Sequence, residues 1–123
     1  MQIHQSAEDY LETILMLNQR MGRVRSIDVV NELGYTKASV SIAMKKLREN
    51  GYIAVDGEGN LTLLEPGREI AERIYSRHRL LTHFFVQLGV DEEVAAEDAC
   101  KAEHILSEQT LEKIREYALL HDA

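Results

Sequence analysis

Three residues near position 100 carry side chains that bind metal ions, and their spacing suits a helix. They are Cys100, Glu103 and His104, in the run CKAEH. Because the spacing is i, i+3 and i+4, a helix would bring the three to one face, with Cβ atoms about 5–6 Å apart. A thiolate, a carboxylate and an imidazole together form a mixed donor set for a first-row transition metal.

Two other segments carry residues of the same chemistry. Asp9 and Glu12 are also three residues apart, and His78 lies in the run YSRHRLL. Each has a simpler explanation by itself, since acids are favourable in the first turn of a helix and a lone histidine is usually packed or hydrogen-bonded. A lone cysteine such as Cys100 is usually a small buried residue. Only the cluster at 100–104 makes metal binding as good an interpretation as these structural ones.

Helices must position these residues, and helical periodicity covers most of the chain. Capping residues, acids in first turns and one proline mark where the helices begin. The helices predicted outside residues 26–64 are residues 7–21, Pro66 to about Leu88, Asp91 to Leu106, and a last helix that begins after Ser107. The chain is therefore expected to be mainly α-helical.

The segment between residues 26 and 64 has a different order of elements. Ser26 is expected to cap a short helix that stops at Gly34, and a second helix is expected to begin after Thr36 as its cap. Two β-like runs around the turn DGEGN then predict a hairpin. This order predicts a winged helix-turn-helix, in which the second helix enters the DNA major groove and the hairpin contacts the flanking backbone.

The second helix of this segment separates an apolar face from a polar face. The residues expected to pack between the two helices are Val29, Val30, Leu33, Val40, Met44 and Leu47. The residues left for bases and phosphates are Thr36, Lys37, Ser39, Ser41, Lys45 and Lys46. The alternative is an ordinary helical hairpin with a solvated lysine face. The acidic turn at 56–60 favours this alternative, because it would not bind phosphate.

Charge is distributed unevenly along the 123 residues. The net charge of −7 opposes binding to nucleic acid, whose affinity depends largely on Lys and Arg. However, residues 22–79 contain ten Lys and Arg against eight Asp and Glu, whereas residues 80–123 contain three against ten. A mildly basic middle and an acidic C-terminal part indicate two different functions.

Cysteine usage and the apolar runs indicate a cytoplasmic protein. One cysteine cannot form an internal disulfide, and the start of the chain lacks the pattern of a secretion signal. The longest apolar cluster, LLTHFFVQLGV, is broken by His83 and Gln87 and is too short to span a bilayer. We therefore expect a cytoplasmic location and no membrane anchor.

The chain resembles the diphtheria toxin repressor family of metal-dependent transcription regulators, including its manganese transport regulator branch. The segments that carry the resemblance are SAEDYLETIL, the helix-turn-helix, RHRLL, GVDEE and EDACKAEHILSE. The resemblance implies a mainly α fold, with a winged helix-turn-helix DNA-binding domain in residues 1–73 and a helical dimerisation and metal-binding domain in residues 74–123. It further implies a homodimer that binds operator DNA and represses metal-uptake genes when Mn²⁺ or Fe²⁺ is bound, with Zn²⁺ or Co²⁺ as substitutes.

The metal ligands of that family fall on six positions of this chain. They are Asp9, Glu12, His78, Cys100, Glu103 and His104. Asp9 and Glu12 match the manganese branch, whereas Cys100 matches the iron-sensing branch. Hard carboxylate oxygens favour Mn²⁺ and a thiolate favours Fe²⁺ or Zn²⁺, so the metal used in the cell stays open. One compact site with one or two ions is expected.

Two other functions are compatible with the sequence. One is a metal-independent winged-helix DNA-binding module, and the other is a helical metalloenzyme that activates water. The chain has no HExxH motif, no glycine-rich phosphate loop and no acid–base pair apart from the candidate ligands. We therefore expect no enzymatic activity.

The C-terminal part is expected to form the dimer. Leu111, Ile114 and Ala118 recur at helical spacing on the last helix and make an apolar stripe larger than one small subdomain needs to cover. A two-fold dimer through residues after about 85 would match palindromic half-sites in DNA.

Overall fold

A computed structural model describes residues 5–122, and within them the chain forms six helices and one two-stranded sheet. The elements are α1 (Gln5–Met21), α2 (Ser26–Leu33), α3 (Lys37–Glu49), β1 (Ile53–Val55), β2 (Leu61–Leu63), α4 (Glu65–Gln87), α5 (Glu92–Ala102) and α6 (Glu108–Leu120). The fold is mainly α, as predicted. The chain divides into two compact units, Met1–Glu72 and Arg73–Ala123, called here the first and the second unit. Within residues 5–122, no helix combines the length and the apolar composition needed to cross a membrane.

Local signals in the sequence set the end of α2 and the start of α3. Gly34 has a φ of 72°, in the left-handed region, and its N–H donates to the Val30 carbonyl at 2.8 Å, which ends α2. Thr36 caps α3, because its Oγ1 accepts a hydrogen bond from Ser39 N at 3.1 Å. Both boundaries confirm the sequence prediction.

The cap of α2 differs from the prediction. Ser26 is the first residue of the helix, and Arg25 precedes it with an extended backbone. The Arg25 N–H donates to Asp28 Oδ2 at 2.9 Å. The prediction of Ser26 as the cap is therefore wrong, because the acid in the first turn accepts the bond that orders this helix start.

The predicted hairpin is present and forms the wing of the first unit. β1 and β2 pair antiparallel, with Ala54 opposite Thr62. The segment before α2 adds to this sheet, since Arg25 bridges to Asn60 and Leu61 N donates to the Val24 carbonyl at 2.7 Å. The wing is thereby tied to the start of the helix-turn-helix.

The acidic turn of the wing is organised by Asp56. Its Oδ1 accepts hydrogen bonds from Glu58 N and Asn60 N, both at 2.9 Å, and Asn60 Nδ2 donates to its Oδ2 at 3.0 Å. These bonds, above all the one from the Asn60 backbone, hold the Asp56 pKa below its usual value. The acid therefore shapes the turn, which gives it a structural reason independent of DNA.

The core of the first unit combines α1, α2, α3 and the wing. Its buried apolar side chains include Leu11, Ile14, Val29, Val40, Met44, Leu47, Ile53, Leu61 and Leu63. Val30 and Leu33, which the sequence also places on the packed side, are only half-buried. The packed faces of α2 and α3 leave the opposite face of α3 open to solvent.

The start of α4 lies against the chain that enters the wing. A Cβ added to Gly67 would lie 2.2 Å from the Tyr52 carbonyl oxygen and 3.4 Å from a methyl carbon of Leu11. The Leu64 N–H donates to the same Tyr52 carbonyl at 3.0 Å. Only glycine at position 67 allows two backbone segments to approach this closely.

The second unit has a small core of its own. At its centre are Leu81, Ala99 and Leu111, and around them pack Leu80, Phe85, Ala102, Leu106 and Ile114. Leu111 is 2% exposed and Ala118 is 3% exposed. The predicted dimer stripe is therefore wrong for these two residues, because the unit itself buries them. The larger exposed apolar side chains of this unit include Leu88, Ile105, Leu119 and Leu120.

α5 is shorter than predicted and ends at Ala102, not at Leu106. A tight turn follows α5, in which Ile105 N and Leu106 N both donate to the Ala102 carbonyl, at 3.1 and 3.3 Å. Ser107 then has an extended backbone and caps α6 by accepting a hydrogen bond from Thr110 N at 3.2 Å. α5 must end before this cap, because a capping residue has a non-helical backbone.

Candidate metal centre and DNA-binding surface

Three side chains of the second unit bring ligand atoms together between α4 and the end of α5. His78 Nδ1 lies 2.9 Å from Glu103 Oε2 and 3.8 Å from Cys100 Sγ. One ligand atom from each of the three residues lies within 4.8 Å of the other two. A cation could contact all three after small shifts, since metal bonds to nitrogen, oxygen and sulfur measure about 2.0–2.3 Å.

The backbone explains why Cys100 and Glu103 share one side although α5 ends between them. Glu103 keeps a helical conformation, with φ −61° and ψ −21°, and its N–H donates to the Ala99 carbonyl at 2.9 Å. The spacing of three residues therefore has the same effect as in a continuous helix. His78 comes from the facing side of α4.

Glu103 is the residue whose surroundings point most directly to a cation. It is 0% exposed, and Glu103 Oε1 has no hydrogen-bond partner among residues 5–122. His104 Nε2 lies 3.5 Å from that oxygen. A carboxylate removed from water is costly unless donors or a cation compensate its charge. Glu103 Oε2 is paired with His78, and Oε1 has a lone pair left that fits a bound metal ion.

Cys100 lies on the open side of this cluster. Its side chain is exposed, so the interpretation of Cys100 as a small buried residue is wrong. The His78 side chain is 19% exposed, between the open thiol and the buried carboxylate. Solvent, and any ion that it carries, therefore reaches the cluster from the Cys100 side.

The cluster holds a proton on His78. The pKa of His78 is raised from 6.5 to about 10, first by the hydrogen bond with Cys100 and then by that with Glu103, whereas burial lowers it. The imidazole is therefore protonated at neutral pH in the metal-free protein. That proton must leave before His78 can bind a metal, because only the neutral ring offers a lone pair.

Asp9 and Glu12, which are also predicted ligands, belong to the first unit. Asp9 and Glu12 lie one turn apart on α1, Asp9 half-buried and Glu12 only 6% exposed. Acidic side chains are rarely buried to this degree without a compensating partner. That Asp9 and Glu12 belong to the same site as the residues of the second unit stays a prediction.

The six residues predicted to contact DNA are all exposed in the first unit. They are Thr36, Lys37, Ser39, Ser41, Lys45 and Lys46. Two of them have an additional task, since Thr36 Oγ1 donates to Ser39 Oγ at 2.9 Å and also caps the helix. Lys45 Nζ lies 3.9 Å from Glu49 Oε1 in an exposed pair, which is too weak to hold the lysine away from a phosphate.

Two further residues line this surface, and the sequence pattern did not indicate them. A cleft of about 260 Å³ is lined by Ser26, Ser41, Met44, Lys45, Arg48 and Val55. Arg48 lies three residues after Lys45 and seven after Ser41, so helical spacing could have identified it. Ser26 could not be found in this way, because it belongs to α2. Two cations and two hydroxyls around one cleft suit a phosphate group.

A helix-turn-helix with a wing defines the first unit as a DNA-binding fold of the winged-helix class. Residues 2–61 match the iron dependent repressor N-terminal DNA binding domain, and residues 64–119 match the iron dependent repressor metal binding and dimerisation domain. The chain belongs to this family of metal-dependent transcriptional regulators.

Similar proteins agree with this assignment. The chain is 36% identical over 113 residues to an HTH-type transcriptional regulator of Methanocaldococcus jannaschii, covering 90% of each chain. It is 34% identical over 109 residues to the HTH-type transcriptional regulator MntR of Lysinibacillus sphaericus, covering 89% of this chain and 78% of that one. Among solved structures, a manganese-dependent transcriptional repressor in complex with manganese matches with a TM-score of 0.83 at 28% identity, over 91% of this chain and 52% of that one. This chain thus spans about half the length of that structure.

Proposed function

We propose that the chain is a repressor of metal-uptake genes whose homodimer binds operator DNA when Mn²⁺ or Fe²⁺ occupies its metal site. Metal binding is supported by the fully buried Glu103 carboxylate, whose Oε1 has no hydrogen-bond partner within residues 5–122. The proposed ligands are Asp9, Glu12, His78, Cys100, Glu103 and His104. When bound, the cation would neutralise carboxylate charge and accept lone pairs from sulfur and nitrogen.

The distribution of the proposed ligands supports a regulatory function for the metal. Asp9 and Glu12 belong to the first unit, and the other four residues belong to the second. A cation held by both sets would make the arrangement of the DNA-binding unit depend on the metal. Coupling of this kind is reciprocal, so DNA that favours the metal-bound arrangement must also raise the affinity for metal.

The identity of the metal depends on the balance of donors. The similar solved repressor is described with manganese, and carboxylates favour such a hard ion. The exposed Cys100 adds a soft thiolate beside His78, which favours Fe²⁺ or Zn²⁺. We therefore propose that this chain discriminates less strongly against Fe²⁺ than a site with only oxygen and nitrogen ligands would.

The DNA part of the proposal is supported by the basic surface of α3. Lys37, Lys45, Lys46 and Arg48 are exposed there. The Arg48 side chain forms no ion pair or hydrogen bond with any of residues 5–122, so its guanidinium is available to a phosphate. We propose DNA binding for the predicted domain 1–73, and metal binding and dimerisation for the predicted domain 74–123; the two compact units divide one residue earlier, between Glu72 and Arg73.

Metal binding can be tested without DNA by equilibrium dialysis under anaerobic conditions. We expect the wild type to bind Mn²⁺ and Fe²⁺ at micromolar free metal, and Glu103→Gln to lose at least about tenfold in affinity, since a charged ligand becomes neutral. A matched control is Glu97→Gln, which removes an exposed acid from α5, the helix that ends just before Glu103. If the wild type binds no metal, the metal-independent DNA-binding module replaces this proposal.

A further inference from the structure

Ile42 occupies an unusual place on α3. Its side chain is 59% exposed, whereas Val40, Met44 and Leu47 of the same helix are between 0% and 4% exposed. At 3.6 residues per turn, Ile42 lies about 200° around the helix from Val40. It is therefore at the centre of the face that points away from the core.

The neighbours of Ile42 on that face are small or basic. Ala38 lies four residues before it, and Lys45 and Lys46 lie three and four residues after it. Lys45 and Lys46 are exposed. An isolated apolar side chain between cations is poorly suited to an apolar partner protein, but it suits a polyanion that carries an apolar group inside its groove.

The hydroxyl groups nearest to Ile42 on the N-terminal side of this face are bonded to each other. Ser39 precedes it by three residues, and its Oγ accepts a hydrogen bond from Thr36 Oγ1 at 2.9 Å. Thr36 in turn caps α3. The first turn therefore offers fewer free polar groups for reading base edges than its composition suggests, and the exposed apolar residue is the next one along the face.

We infer that Ile42 contacts the C5 methyl group of a thymine and thereby specifies a T·A pair in each half-site. This inference rests on the proposed function, in which α3 enters the major groove. An isoleucine side chain can neither donate nor accept a hydrogen bond, and the thymine methyl is the apolar group that the major groove presents. Ile42 thus selects sequence, while the lysines around it contribute affinity for phosphate.

The contribution of this contact to DNA affinity can be estimated. Removing one methyl group from a buried contact weakens binding by about fourfold, at the usual value for burying one methylene group. Replacing thymine by deoxyuridine removes that methyl and leaves every hydrogen-bonding atom of the base in place. The same replacement should have no effect on a protein whose side chain cannot reach the methyl.

The test combines the replacement of thymine in the DNA with the Ile42→Ala substitution in the protein. Duplexes are first selected from a randomised DNA library with the wild-type full chain in the presence of Mn²⁺. Each thymine of the selected duplex is then replaced by deoxyuridine, and its affinity is measured for the wild type, Ile42→Ala and the control Ile27→Ala, which truncates an exposed isoleucine of α2. Circular dichroism confirms that the variants are folded.

We expect one deoxyuridine position per half-site to weaken the wild type and Ile27→Ala by about fourfold, and to leave Ile42→Ala unchanged. Equal losses in the wild type and Ile42→Ala, or no loss at any position, would overturn the inference while DNA binding by this chain stands. A library in which no duplex is enriched, with and without metal, would overturn the proposed function and this inference with it.

Discussion

The proton on His78 makes metal affinity depend on pH in a way that can be calculated. Its pKa is raised to about 10 in the metal-free protein, and a bound metal requires the neutral ring. Between about pH 6.5 and 8.5 the metal must therefore displace one proton from His78. One displaced proton raises the apparent metal affinity about tenfold for each unit of pH.

The assay is a competition between the protein and a fluorescent chelator for Mn²⁺ across that pH range. The informative quantity is the difference between the slopes of the wild type and the variants. We expect His78→Ala to lower the slope of log affinity against pH by about one unit. The control His83→Ala changes an exposed histidine that bonds to Asp122, and its slope should equal that of the wild type. Equal slopes for the wild type and His78→Ala would refute the assignment of the displaced proton.

The same pKa shift affects the stability of the metal-free protein with a definite sign. Because the folded-state pKa of His78 is above its usual 6.5, the interactions of the charged ring with Cys100 and Glu103 stabilise the fold fully below pH 6.5, and this contribution is lost as pH rises through about 10. In a chelator, thermal denaturation should show the largest difference between the wild type and His78→Ala at the acidic end. A difference that grows toward alkaline pH contradicts the pairing.

Three further predictions concern the wing contact, the metal and the DNA backbone. Gly67→Ala should lower the free energy of unfolding by about 1–3 kcal/mol, because its Cβ would overlap the Tyr52 carbonyl. Denaturant titration measures this change. A stabilised variant would show that the start of α4 moves away from Tyr52 easily. Cys100→Glu should shift the metal preference from Fe²⁺ and Zn²⁺ toward Mn²⁺. A Co²⁺ titration of the wild type should give a thiolate charge-transfer band that this variant lacks. If the wild type binds Co²⁺ without this band, Cys100 is not a ligand. Lys45→Ala and Arg48→Ala should each weaken DNA binding similarly for all sequences and lower the salt slope by about one unit, and an unchanged slope removes that residue from the interface.

The first unit could be predicted from sequence because its signals are local. Gly34 ends α2 through a left-handed backbone, and Thr36 caps α3 through its own side chain. Asp56 shows the limit of prediction from local signals. Composition alone indicated that its turn is acidic and would not bind phosphate. The structure explains the acid by its bonds to Glu58 and Asn60, which depend on how the turn folds.

The second unit was harder to predict, because the burial of its side chains depends on how its helices pack. Helical spacing indicated that Cys100 and Glu103 share a side, and this holds although α5 ends at Ala102. Spacing could not show that Glu103 is fully buried or that Cys100 is open to solvent. It also suggested Leu111 as part of a dimer surface, whereas contacts with α4 and α5 place it in the core.

The central claim is that a metal held by this chain controls its affinity for DNA. The most direct measurement is fluorescence anisotropy of a selected duplex with the wild type and Glu103→Gln, under anaerobic conditions, in chelator and at increasing free Mn²⁺ or Fe²⁺. We predict that the wild type binds at least about tenfold more tightly with metal, as expected for coupling of 1–3 kcal/mol, and that Glu103→Gln needs more metal to reach the same affinity. Equal affinity of the wild type in chelator and at saturating metal would contradict the account.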